Sequence, residues 1–415
     1  MDGTIKKYLT HYEELEVTLL PAFTFPDYKH CLVVPAFQET YEELTNVWQN
    51  LPIGTLIILV INAPQEDPET SALAARIHAN YQRKQGSANL SLLQAERLND
   101  ILLVDRYSEH QLIPTRQGVG LARKIGADLA LALIATGVVN EPRISSTDAD
   151  TALPPDYFSR DMAPGEAALV YPFTHQASED LAQASLLYEV SVLYYAAGLK
   201  WSGSRYGFPS IGSIIAISPL HYAQVRGFPK RNAGEDFYLL NKLAKVGAIT
   251  CLEAPSLTIK ARLSERVPFG TGPGLRKIIA LDNPMTEYRF YNPLIFVQLQ
   301  QFLAGFRQLW TASDPTANYT GPVADFCDIQ GFNTLVTKRK KDIKSETVFL
   351  KFLDDWFDGF RTLKFVHHLR QHYPSVSYEE IQSAPFVNHE ASLPDTRAML
   401  ASQCFNGPKK TKISN

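Results

Sequence analysis

Two uninterrupted apolar runs, "HCLVVPAF" from His30 and "TLIILVINAP" from Thr55, constrain the fold of this chain more than anything else in it. A strand with one wet face alternates polar and apolar residues. A run that is apolar at every position needs cover on both faces, the condition of strands inside a parallel sheet. Between the two runs, "QETYEELTNVWQNL" places Leu44, Val47, Trp48 and Leu51 at helical spacing. The alternation continues: "ALAARIHANYQR" reads as helix, "DILLVDR" as strand, "GVGLARKIGADLALALIATG" as a long helix, "RISSTDAD" as strand and loop, and "ALVYPF" as strand. This order predicts an α/β fold, a mostly parallel sheet with helices on both faces, whose ligands bind beyond the carboxyl ends of the strands.

The texture changes near residue 263. A Gly/Pro loop, "RVPFGTGPG", leads into aromatic-rich helices such as "ETVFLKFLDDWFDGFRTLKFVHHLRQHY". There Phe349, Phe352, Leu353, Trp356, Phe357 and Phe360 form a stripe expected to dock on the first domain. The expected organisation is an N-terminal extension over residues 1–26, an α/β domain over 27–262, a mainly helical region over 263–405, and a flexible tail, "NGPKKTKISN", over 406–415.

At 415 residues, 45% of them hydrophobic, the chain can bury a substantial core. Its 40 basic residues nearly balance 43 acidic ones, which leaves no global attraction to nucleic acid. Cys31, Cys251, Cys327 and Cys404 lie far apart without a C-x-x-C pair, so neither a disulfide framework nor a zinc knuckle is expected. The expected compartment is the cytoplasm, in solution or peripheral to a membrane. No segment has the length of a membrane span, and "DLALALIATGVV" reads as a buried helix.

Two acidic motifs carry the chemistry. In "ISSTDADTALPPDYF", Asp148 and Asp150 stand two apart at a strand end, where extended backbone turns both side chains to the same side. Carboxylates that close repel unless a cation sits between them, and a hard divalent ion completes its shell with phosphate oxygens and water. The competing reading is a solvated turn before proline. In "GFPKRNAGEDFYLLNKLAKVG", Glu235 and Asp236 begin a helical pattern. Acids there either answer the helix dipole or supply a general base.

These pieces, taken in order, resemble the family 2 glycosyltransferases and their GT-A fold. The resemblance rests on "VVPAFQE" after the first strand, on Arg123 and Lys124 in "GVGLARKIGADLAL", on the D-x-D of "DADTALPPDYF", and on "GFPSIGSIIAISPLHYAQVRGFPKRNAGEDFYL". It covers residues 31–247, and makes 27–262 a nucleotide-sugar-binding catalytic domain. It implies transfer of a sugar, a hexose by preference, from a nucleotide-diphosphate donor to a hydroxyl of a small molecule, glycan or protein, with Mn2+ or Mg2+ as cofactor.

The resemblance also implies residue roles. Pro35, Phe37, Glu39 and Asn62 line the nucleoside pocket, Arg123 meets the diphosphate, and Asp148 and Asp150 hold the metal, Asp148 also touching the donor. Asp236 is the base with Glu235 beside it, which makes the transfer inverting. Asn62 stands where the family usually has an aspartate, and Gln38 where it has an asparagine. No Q-x-x-R-W motif follows the Glu-Asp pair, so the reaction is expected to be non-processive.

Other features keep two readings each. "RLSERVPFGTGPG" with Arg262 and Arg266 is a loop closing over phosphates or a plain linker. His221 is a further metal ligand or a packed residue; His368 and His372 have ligand spacing on a helix that also reads as core. "TKRKKDIK" is a solvated face or an anion-binding one, and the aromatic helices offer a dimer face. A dinucleotide-dependent dehydrogenase is disfavoured, because "PAFQE" has no glycine at the first turn. The remaining alternatives are a sugar-phosphate nucleotidyltransferase and a non-catalytic nucleotide-sugar or glycan-binding module.

Overall fold

The computed structural model describes residues 1–264, 266, 270–312 and 319–406. The expected tail, apart from Asn406, and residues 267–269 of the Gly/Pro loop lie outside the described residues. The chain forms two compact units: Met1–Asp180 with Ser210–Pro273, and Leu181–Pro209 with Gly274–Asn406.

The first unit is α/β. Its strands in chain order are β1 His30–Ala36, β2 Thr55–Asn62, β3 Gln82–Ser87, β4 Leu90–Gln94, β5 Ile101–Arg106, β6 Ile144–Ser146, β7 Thr151–Ala152, β8 Glu166–Val170, β9 Phe173–Gln176, β10 Ile215–Ile217, β11 Ala248–Cys251 and β12 Leu257–Lys260. Nine form one sheet in the order β11-β8-β10-β6-β1-β2-β5-β4-β3. Every residue of β1 and β2 is buried, so both faces are covered there, as their unbroken apolar runs require. Helix Tyr41–Trp48 turns Leu44, Val47 and Trp48 inward, and the Thr40 side chain caps it at the Glu43 N–H. Helix Gly118–Thr136 packs on β1 and β2 so closely that a Cβ at Gly126 would stand 2.3 Å from Val33 Cγ1.

The sheet is parallel through β6, β1, β2 and β5, and again between β8 and β11. Strand β10 enters antiparallel between β6 and β8, and the β3–β4 hairpin closes the far edge antiparallel to β5. The expected α/β fold is present, with a sheet that is parallel in its centre and mixed as a whole. Strand β10 is only three residues long, too short for a periodic signal. Strand β3, "QRKQGS", is exposed and charged, the composition of an edge guarded against further pairing. Its first residues had read as the end of the preceding helix, which stops at Asn80.

A small second sheet, β7-β12-β9, positions the acidic loop. Strand β12 runs antiparallel to β7 with Ile259 opposite Thr151, and the Lys260 N–H donates to the Asp150 carbonyl at 2.8 Å. This pairing fixes the backbone at Asp150 and brings the chain past it just before Arg262.

Residues 1–26, the expected N-terminal extension, pack within the first unit. Tyr8, in helix Gly3–His11, is 1% exposed, and its hydroxyl donates to Asp128 at 2.6 Å. Lys124 Nζ donates to the other Asp128 oxygen (2.6 Å), to Tyr8 (2.9 Å) and to the Tyr12 carbonyl (2.7 Å). Buried charges persist only when paired in this way, so the N-terminal segment completes the unit's core.

The second unit is helical. It takes helix Ala182–Trp201 from the middle of the chain, within the span 27–262 expected for the first domain. That helix pairs with the last one, Leu393–Phe405. Lys200 Nζ donates to the carbonyls of Gln403, Cys404 and Asn406, satisfying orphan acceptors at the last helix's end, and Arg397 Nε donates to Glu189 at 2.5 Å. Within this unit Phe302 stacks on Phe365, meets Phe306 and Phe357 edge to face, and packs at a tilt against Phe332. The aromatic stripe thus finds partners inside its own unit: Phe349 faces Trp310, and Trp356 faces Phe332. Among the described residues no helix is long and apolar enough to cross a membrane, and the four cysteines are free.

Candidate functional site

The residues expected to carry chemistry come from four places in the first unit. The turn after β1 supplies Phe37 and Glu39, the loop between β6 and β7 supplies Asp148 and Asp150, helix Glu235–Leu243 begins with Glu235 and Asp236, and Arg262 and Arg266 follow β12. One guanidinium joins the two acidic motifs. Arg123 Nη2 bonds Asp148 Oδ1, while Nε donates to Glu235 Oε1 at 2.8 Å. Its Nη1 donates to Ser146 Oγ at 2.9 Å and to the Thr147 carbonyl at 3.4 Å. Burial opposes the charge on Arg123, but Asp148 and Glu235 outweigh it and raise the pKa above that of an ordinary arginine. A Cβ on Gly212 would stand 2.3 Å from Arg123 Nη2, so only glycine leaves room for this bridge.

This placement gives Arg123, expected at a diphosphate, partners of its own within the protein. Its side chain is 2% exposed and already bonded on all three nitrogens, so it is a strut between acids rather than a free contact for a diphosphate. Ser213 Oγ donates to the second Asp148 oxygen at 2.5 Å.

A second cluster lies at the turn after β1. Both Arg262 Nη atoms donate to Glu39, each at 2.6 Å, and Nη2 stands 3.1 Å from Asp150 Oδ2. Arg266 Nη1 donates to Glu39 Oε1 at 2.5 Å and to the Phe37 carbonyl. Glu39, expected in a nucleoside pocket, is buried as the anchor of two arginines. Gln38, with φ of 54°, makes the left-handed turn that leads to it, held by its side-chain bond to Asp67 (2.8 Å). Pro35 is buried in β1, and Asn62 is buried at the end of β2, in register with Arg106; neither is hydrogen-bonded to these clusters.

Arginine pairing sorts the carboxylates. Asp148 and Glu235 share Arg123, and Glu39 and Asp150 share Arg262. Among the described residues Asp236 has no arginine within ion-pair distance, although Arg123 pulls its pKa down; its Oδ1 accepts the Phe237 N–H at 2.6 Å. Burial and the neighbouring Glu235 push its pKa up to about 7. Burial, then Asp148, also raise Asp150 to about 6, against the pull of Arg262. A half-protonated carboxyl near neutral pH is suited to proton transfer.

The same pairing is the test for a divalent ion, and the donor set does not fit one. Asp148 is bonded to a buried guanidinium and to Ser213, and Asp150 faces another guanidinium. Near a protein surface, like unit charges 4 Å apart repel by about 4 kcal/mol, so a dication at these oxygens meets two fixed cations. His221 shares a hydrogen bond with Ser218 Oγ (2.9 Å), and His368 bonds the Pro322 carbonyl (3.0 Å). Among the described residues no group of three metal-ligating side chains occurs.

Ser146 escaped sequence reasoning; Gly212 and Ser213, expected on a glycine-containing strand over residues 211–213, instead begin a short 3-10 turn, Gly212–Ile214, with no sign in the sequence of their place around Arg123. Small residues there are read only once the guanidinium they surround is known. No protein-family model matches the sequence, and a search of curated proteins finds no match.

Proposed function

We propose that the chain is a GT-A-type glycosyltransferase, moving a sugar from a nucleotide-diphosphate donor to an acceptor hydroxyl with inversion and without processive extension. The observation that supports this reading is the Arg123 bridge. It draws together Asp148 and Glu235, residues 87 positions apart, and leaves Asp236 beside them with no ion pair among the described residues. In the proposed step the acceptor oxygen forms a bond to the anomeric carbon as the bond from that carbon to the diphosphate oxygen breaks. The electron pair leaves with the nucleoside diphosphate, and the hydroxyl proton passes to Asp236. Attack opposite the leaving group inverts the carbon.

The test is a panel of nucleotide sugars, each incubated with the full chain and simple glycoside acceptors, with release of nucleoside diphosphate measured. The reading requires release with at least one donor, lost in Asp236→Asn while donor binding is kept. Tight donor binding without release from any pair would favour the binding module instead.

A further inference from the structure

We propose that Arg262, tethered by Glu39, is the cation that receives the donor's diphosphate, with Arg266 beside it, and that this site works without a divalent metal. The inference rests on the glycosyltransferase reading and goes beyond it by naming what neutralises the leaving group. Electrons displaced from the anomeric carbon collect on the diphosphate, so the reaction needs fixed positive charge there.

The structure offers two candidates for that charge. A metal on Asp148 and Asp150 would have to compete with Arg123 and Arg262 for the same oxygens. Releasing Asp148 from Arg123 leaves a guanidinium, 2% exposed, short of one of its two carboxylate partners, which is costly for a buried charge. Arg262 needs no such rearrangement. Its side chain is 22% exposed, against 4% for the Glu39 that holds it, so the anchor is buried while the head keeps access to solvent.

Donor counting agrees with this. A guanidinium has five N–H donors. Two go to Glu39 and one points to Asp150, which leaves two for phosphate oxygens. The β12 pairing that places Lys260 against the Asp150 carbonyl sets this head at the D-x-D loop. Arg266, sharing Glu39, adds a second positive charge. Two guanidiniums can match a diphosphate's charge with the bidentate geometry that a lone ammonium lacks.

The test is isothermal calorimetry of the full chain with UDP, GDP, ADP, CDP and dTDP, each in EDTA and again with excess Mn2+. The expected result is that at least one of them binds in EDTA with an affinity within about threefold of that in Mn2+. Arg262→Gln should weaken that diphosphate by about 10- to 100-fold, the worth of one or two charged hydrogen bonds. It should leave the affinity of the bare nucleoside unchanged, which a merely structural defect would not. Because Arg262→Gln leaves Glu39 buried with less charge opposite, Arg262→Lys and the paired change Glu39→Gln with Arg262→Gln are measured alongside it. Lysine should recover part of the loss and the neutral pair none. Binding that appears only with Mn2+ overturns this inference and leaves the glycosyltransferase reading standing. Absence of binding in both conditions overturns both.

Discussion

Replacing Asp236 with Asn should remove transfer and, at the same time, stabilise the fold above neutral pH. In the folded chain the carboxyl is pushed up to about 7, against 3.8 for a free aspartate, because burial and the neighbouring Glu235 outweigh the Phe237 N–H and the pull of Arg123. A raised carboxyl pKa means that the folded state binds the proton more tightly than the unfolded one. Its contribution to stability is therefore complete below about pH 4 and is lost as pH rises towards about 7. At about 1.36 kcal/mol per pH unit the ceiling is about 4 kcal/mol. Partial exposure and water screening reduce that to about 1–2 kcal/mol. Asparagine keeps the acceptor for the Phe237 N–H, but gives up a favourable charge in the helix's first turn, worth about 0.3–1 kcal/mol. The net expectation is a gain near 1 kcal/mol at pH 8, seen as a rise of about 2–4 °C in the melting temperature. At pH 5 the gain should shrink to about a third, since the folded carboxyl then keeps its proton and the pH has covered only about a third of the way from 3.8 to about 7. Wild-type transfer should rise with pH through about 7 on its acid limb. Thermal melts of both proteins at pH 5 and pH 8, with donor turnover across the same range, check this. A variant that is destabilised at pH 8, or shifted equally at both pH values, would refute the assignment of Asp236 as the unpaired acid.

Three further outcomes follow from the packing. Arg123→Gln should cost about 3–5 kcal/mol, because it leaves Asp148 and the buried Glu235 facing each other without their shared cation; chemical denaturation measures it. Gly212→Ala should push the Arg123 head from Asp148 and destabilise by about 1–3 kcal/mol, with a larger loss of turnover than its melting temperature alone explains. Tyr8→Phe should cost about 1–3 kcal/mol by leaving Asp128 and Lys124 one partner short, and a chain lacking residues 1–26 should fail to fold, as read by circular dichroism.

The strands at the centre of the sheet were legible because their physics is local. A run such as "TLIILVIN" has no stable place outside a doubly covered sheet, whatever surrounds it. Helix Tyr41–Trp48 showed in the spacing of Leu44, Val47 and Trp48, and Gly118–Thr136 in its long apolar stretch. The β3–β4 edge and the three-residue β10 did not show, because edge strands are polar by necessity and short strands have no period to detect. Helix Ala182–Trp201 was not singled out in the sequence, and its partner, Leu393–Phe405, lies some two hundred positions away.

For the candidate site the division is sharper. The sequence alone named Asp148, Asp150, Glu235 and Asp236 as acids worth attention, since paired carboxylates at element ends have a local electrostatic cost. Which of them stay charged was a tertiary matter, decided by two arginines brought in from elsewhere: Arg123 on a helix to Asp148 and Glu235, and Arg262 past the end of β12 to Glu39 and Asp150. Charge neutralisation depends on distance in space, and a chain's order does not encode that distance until the sheet closes.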